Sequence, residues 1–186
     1  MARGSDARRK LLDAAIDHIA AHGISDLSLR ELAAAIGTSH RMLIHHFGSK
    51  EGLWVEVIRT VEQRQRDLLA EIVPDPAQAP ADSMRDWWRH ISDPSLWANE
   101  RLFFEIYGQA LQGRPGTTAL LDGIVDSWLE PGIEYGLARG MTREQAAAGA
   151  RLGVAVVRGL LLDLLATGDR AAVDAAMEAY IQQVAA

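Results

Sequence analysis

The chain has no cysteine in 186 residues, only six prolines, and aromatic side chains at 6% of the total. Without thiols there can be no disulfide, no thiolate nucleophile and no cysteine-based zinc site, which fits a reducing cytoplasm, the expected location. The most apolar run, GVAVVRGLLLDLLA at 153–166, is broken by Arg158 and Asp163. It also falls short of the roughly 20 residues a bilayer span needs, so no membrane partner is expected. The N-terminal MARGSDARRK is polar and leads straight into a helix, so it does not read as a signal peptide. No G-x-S-x-G, H-E-x-x-H or phosphate-loop pattern occurs, and His45 and His46 are adjacent instead of one helical turn apart. An enzyme, a metal and a cofactor are therefore not expected.

What is present is ordinary soluble composition, 48% apolar and 24% charged, with a net charge of −6. The charge is unevenly placed. Residues 1–50 hold seven Lys/Arg against five Asp/Glu, whereas residues 74–186 hold nine against fifteen. The basic excess thus lies at the N-terminal end, where a small phosphate footprint is possible. No stretch alternates as a strand does, and apolar residues recur at helical spacing throughout, which predicts an all-α fold of about nine helices.

The most informative stretch is SLRELAAAIGTSHRMLIHHFGSK, residues 28–50. Leu29, Leu32, Ala33 and Ile36 fall on one helical face, and Ser28 with Glu31 makes a capping box. Gly37 ends that helix. Thr38 and Ser39 can then cap a second helix through Phe47, with Leu43 and Phe47 turned inward. A helix, a glycine turn and a second helix bearing polar and basic residues is the helix-turn-helix pattern, whose second helix enters the major groove. An ordinary helical hairpin is the bland alternative.

Residues 8–53 resemble the DNA-binding domain of the tetracycline-repressor (TetR) family of transcription regulators. The matching features are RRKLLDAAIDHIAAHG, then LSLRELAAAIGTS, then HHFGSKEGL. The family's tyrosine that donates to a DNA phosphate is Ile44 here, so that bond cannot form. The resemblance implies a three-helix DNA-binding domain over 1–52 and a helical ligand-binding and dimerisation domain over 53–186, joined by a helix at 49–73. Ser28, Thr38, Ser39, His45, His46 and Lys50 are then expected to position the DNA backbone, and His40, Arg41 and Met42 to reach base edges. The basic start of the first helix, Arg3, Arg8, Arg9 and Lys10, is either a solvated helix end or a further phosphate contact.

Nine of the eleven aromatics lie between Trp87 and Tyr180. They serve helix packing, or they line a cavity for a small-molecule effector, the role the resemblance favours. Trp97, Phe103, Phe104, Tyr107 and Trp128 are the expected lining, Trp87 or Trp88 a lid, and Asp163 either a boundary residue or a polar anchor. Near the C-terminus, Gly153, Val157, Leu160, Leu161 and Leu164 on one helix and Val173, Met177, Tyr180 and Ile181 on the next form apolar faces. Two such helices from each of two chains make a four-helix bundle, and hence a homodimer on a DNA operator, unless both faces are used within one chain. VPDPAQAP at 73–80 is expected to mark a boundary, and Pro131 to kink or begin a helix.

Overall fold

The computed structural model describes residues 2–22, 27–72 and 79–185. Among the described residues every regular element is helical. These are α1 (Ala2–His22), α2 (Leu29–Ala35), α3 (His40–Phe47), α4 (Lys50–Ile72), α5 (Pro80–Ile91), α6 (Trp97–Leu111), α7 (Asp126–Ala138), α8 (Arg143–Thr167) and α9 (Arg170–Ala185), with short 3-10 turns at 94–96 and 118–121. No described helix is long and apolar enough to cross a membrane. Arg3's side chain and most of the 73–80 stretch lie outside the described residues.

Local chemistry explains where the helices begin and end. The Ser28/Glu31 box closes as expected, with Glu31 N–H donating to Ser28 Oγ at 3.2 Å and Ser28 N–H to Glu31 Oε2 at 2.8 Å. Thr142 and Gln145 repeat it on α8, at 3.2 and 3.0 Å. Asp169 caps α9 by accepting from Ala172 N–H at 3.1 Å. Gly168, with φ of 70°, ends α8 in the left-handed region that a side chain would strain.

Pro131 does not begin a helix. It sits inside α7, which begins only at Asp126 because residues 117–125 form a 3-10 helix flanked by turns instead of α-helix.

The chain forms two compact units, interleaved in sequence: Met1–Gln63 with Pro94–Asp122, and Arg64–Asp93 with Gly123–Ala186. The units cut the chain elsewhere than residue 52, because α4 runs from one into the other and α6 packs with the N-terminal helices. In the first unit Ile19, Leu32, Leu43, Leu53, Val57, Leu102, Ile106 and Leu120 are fully buried. In the second, α7 and α8 approach so closely that a Cβ on Gly132 or Gly136 would lie 2.8 or 2.7 Å from Ala150 or Ala146. Polar staples tie α9 to α5. Trp88 Nε1 donates to Asp174 Oδ1 at 2.7 Å, and Arg85 holds both Glu178 oxygens at 2.6 and 2.8 Å.

Candidate nucleic-acid interface

The helix-turn-helix is built from its caps and two inward side chains. Leu43 is fully buried and Phe47 nearly so, which fixes the rotation of α3 about its axis. That rotation leaves His40, Arg41, Met42, Ile44 and His45 exposed on the outer side of α3. Ser39 caps the helix by accepting from Met42 N–H at 3.2 Å. Between the helices Gly37 takes φ of 70° and Thr38 N–H donates to Ala33 O at 2.8 Å, so the turn is closed by backbone alone.

Ser28 is half-buried and engaged with Glu31, whose carboxyl its hydroxyl and backbone N–H hold below the ordinary carboxylate range. Thr38 is half-buried in the turn and Ser39 exposed. His46 is half-buried and its Nε2 is enclosed without a hydrogen-bond partner, so it is the least available of the expected backbone contacts. Lys50 opens α4 with its Nζ 5.9 Å from the centre of the Trp54 ring.

The basic start of α1 divides. Arg8 is committed to the fold: its guanidinium lies 5.0 Å from the centre of the Phe47 ring, pairs with Glu56 at 3.0 Å and donates to His46 O at 3.4 Å. Arg9 and Lys10, both exposed, pair with Asp6 at 2.8 and 3.0 Å. Such surface pairs hold side chains weakly, which leaves both able to meet a phosphate.

The turn into α4 sets where α3 ends. Gly48 adopts φ of 78°, and Ser49 caps α4 by accepting from Gly52 N–H at 2.9 Å. A Cβ at Gly52 would come closer than 3.0 Å to the Phe47 carbonyl oxygen. The absent side chain at Gly52 is thus what lets the recognition helix dock against the next one, a role that local pattern reading missed.

The expected ligand residues are divided between the two units. Trp97, Phe103, Phe104 and Tyr107 belong to the first unit, where the Phe103 ring stacks on Tyr107 with centres 5.3 Å apart. Trp87, Trp88 and Trp128 belong to the second, where Trp87 lies 5.8 Å from Trp128, ring centre to ring centre. Trp88 is buried with its N–H bound to Asp174, so it is a structural staple instead of a lid. Asp163 is exposed on α8, which removes it as a buried anchor and makes it a boundary residue.

A small cavity of about 10 Å³ does lie in the first unit, and of the expected residues only Phe103 lines it. Glu62, Asn99 and Glu100 line it too, all buried, and sequence reading passed over them. The available signal was a polar residue on an apolar helical stripe, Glu62 following Val57, Ile58 and Val61.

The apolar faces of α8 and α9 are used in part within the chain. Leu161, Leu164, Val173, Met177 and Ile181 are buried within the chain, and Tyr180 packs toward Gly153. Gly153, Val157, Leu160 and Tyr180 are half-buried. The residues left outside are Leu152, Leu162 and Val184, at 54%, 51% and 47% exposure. Side chains buried against other helices of the chain are not available to a partner, whereas the half-buried and exposed ones are.

Comparison with known proteins agrees with this geometry. The family profile described as bacterial regulatory proteins, tetR family, matches residues 11–57. The regulatory protein RaaS of Mycobacterium tuberculosis is 32% identical over 101 residues, 54% of this chain and 40% of its own length. The chain thus spans less than half of that relative. A transcriptional regulator from Rhodococcus sp. Rha1 superposes with a TM-score of 0.75 at 20% identity, covering 95% of both chains. Another from Saccharomonospora viridis, crystallised in complex with choline, superposes at 0.65 and 22% identity, covering 96% of this chain and 95% of that one. The capped helix-turn-helix at 28–47, its outward-facing α3 and the matched profile show that residues 11–57 are similar to the tetR family of bacterial regulatory proteins.

Proposed function

We propose that the chain is a transcriptional repressor that binds a palindromic operator as a homodimer and is released by a small-molecule effector. The observation that carries this reading is α3, held by Ser39, Leu43 and Phe47 so that His40, Arg41 and Met42 face outward together. Arg41 offers the bidentate fork that guanine accepts in the major groove, and Met42 an apolar contact for a thymine methyl. Ser28, Thr38, Ser39, His45, Lys50 and the free end of α1 would set position on the backbone.

A homodimer suits the reading because two recognition helices about 34–36 Å apart meet successive major grooves. Exposed apolar side chains on α8 and α9, Leu152, Leu162 and Val184 among them, are available to form it. Effector control would run through α4, which begins directly after the recognition helix and continues as one helix to Ile72. An effector can act this way only by binding the DNA-incompetent arrangement more tightly.

Fluorescence anisotropy of labelled DNA flanking the protein's own gene, at two salt concentrations and against scrambled DNA, tests it. Tight, sequence-preferring binding that weakens with salt supports the regulator. Binding no better than to scrambled DNA would instead favour a helical ligand-binding protein that no longer reads DNA, to which exposed Ile44 in place of the family's phosphate donor already points.

A further inference from the structure

The cavity of about 10 Å³ between α4 and α6 is the size of a single water or ammonium group. Its polar wall consists of Glu62, Asn99 and Glu100, at 6%, 8% and 4% exposure, and no basic side chain lines it. Glu62 and Glu100 have interactions of their own. Asn99 Oδ1 has none: it is an acceptor enclosed in the fold without a donor. Buried acceptors are rarely left so, and one that is invites a donor from outside the chain.

The rest of the wall is apolar, notably Val57, Val61, Leu102 and Phe103. We propose that this is the head-group pocket for the effector and that the effector is a primary ammonium compound with an apolar tail. Its N–H would donate to Asn99 Oδ1 and its charge would face the two carboxyl-bearing side chains; the cavity has room for the head alone, so the tail could enter along Val57, Val61 and Leu102 only as α4 and α6 part. The proposal rests on the effector-responsive reading above.

The alternatives fit less well. An anion would meet two acidic side chains, and a neutral alcohol would satisfy Asn99 while gaining nothing from them. A trimethylated ammonium has no N–H and a head larger than a water. A metal ion needs more ligating groups than are gathered here, since the described residues contain no set of three or more His, Cys, Asp or Glu suited to one. Val57 and Glu62 stand on α4, so a ligand that parts α4 from α6 acts on the helix that follows α3.

The test is calorimetric titration of the full-length protein with n-hexylammonium, 1-hexanol, hexanoate and hexyltrimethylammonium. Saturable binding of n-hexylammonium, with the other three about tenfold or more weaker, is expected. Asn99→Leu and Glu100→Gln should each weaken n-hexylammonium by about tenfold or more. Asn99→Leu should melt no lower than wild type without ligand, because it deletes an unmade acceptor. The ligand series on wild type needs no variant, so it decides the matter even if a substitution unfolds the chain. Equal binding of the alcohol or the trimethyl compound, or undiminished binding by Asn99→Leu, would overturn the pocket. Anisotropy on the same samples separates the two readings. Ammonium binding without DNA release leaves the pocket standing and removes effector control, while specific DNA binding without ammonium binding removes the pocket alone.

Discussion

Replacing Gly52 by alanine separates two physical effects that usually act in the same direction. Gly52 lies in the first turn of α4, where helix propensity alone favours alanine by up to about 1 kcal/mol. Packing opposes it, because the new Cβ would approach the Phe47 carbonyl oxygen closer than 3.0 Å, and that oxygen belongs to backbone and cannot rotate away. The same oxygen accepts from Ser49 N–H at 2.9 Å, so moving it also loosens the turn. Overpacking of this kind costs about 1–3 kcal/mol, which exceeds the propensity gain. Gly52→Ala should therefore lower stability by about 1 kcal/mol net, once both terms are counted.

It should also shift the end of α3 and weaken operator binding by about tenfold, the equivalent of one base contact at about 1–3 kcal/mol. Gly108→Ala is the matched control. Gly108 is inside α6 with nothing within 4 Å of its would-be Cβ, so alanine there should stabilise by about 0.5–1 kcal/mol. Urea unfolding gives both stabilities and anisotropy gives the affinity. If Gly52→Ala proves as stabilising as Gly108→Ala and binds DNA unchanged, the docking of α3 through Gly52 is wrong.

Three further outcomes follow from the same structure. Arg41→Ala should cost about 1–3 kcal/mol on the operator and relax preference at one base pair, read by anisotropy on a set of single-base variants. Ile44→Tyr restores a neutral donor at an exposed position of α3, so it should leave stability within about 0.5 kcal/mol. It should tighten DNA binding by about 0.5–1.5 kcal/mol without steepening the salt dependence, and a steeper slope would contradict the neutral-donor account. Arg85 hydrogen-bonds Glu178 and holds its carboxyl down from 4.5 to about 2. Since the folded value lies below the unfolded one, the pair stabilises fully above about 4.5 and loses its effect as pH falls toward 2. Glu178→Gln should accordingly flatten the loss of thermal stability across that window, modestly, because both partners are more than a third exposed.

Much of the fold can be read from sequence because helix ends are decided within about four residues. Ser28 with Glu31, Thr142 with Gln145, Ser39, Asp169, Gly37 and Gly168 each act on their own backbone, and each is found doing so. The inward Leu43 and Phe47 likewise follow from spacing, and with them the outward residues of α3. Exceptions at this level came from weak local preference: the residues before Asp126 have no side-chain cap and form a 3-10 turn, and Pro131 is tolerated early in the helix that follows.

Tertiary structure alone decided which apolar face of an all-round apolar helix turns inward. On α8, Leu161 and Leu164 face the interior of the unit while Leu152 and Leu162 face out, a choice made by packing against α7 and α9 and invisible in a composition that suits both. It also decided that the aromatics fall into two groups, that Trp88 binds Asp174 eighty-six positions away, and that Asn99 and Glu100 meet Glu62 around a cavity. Periodicity reports how a helix is made, whereas pockets and partners depend on residues distant in the chain, for which a single sequence has no local trace.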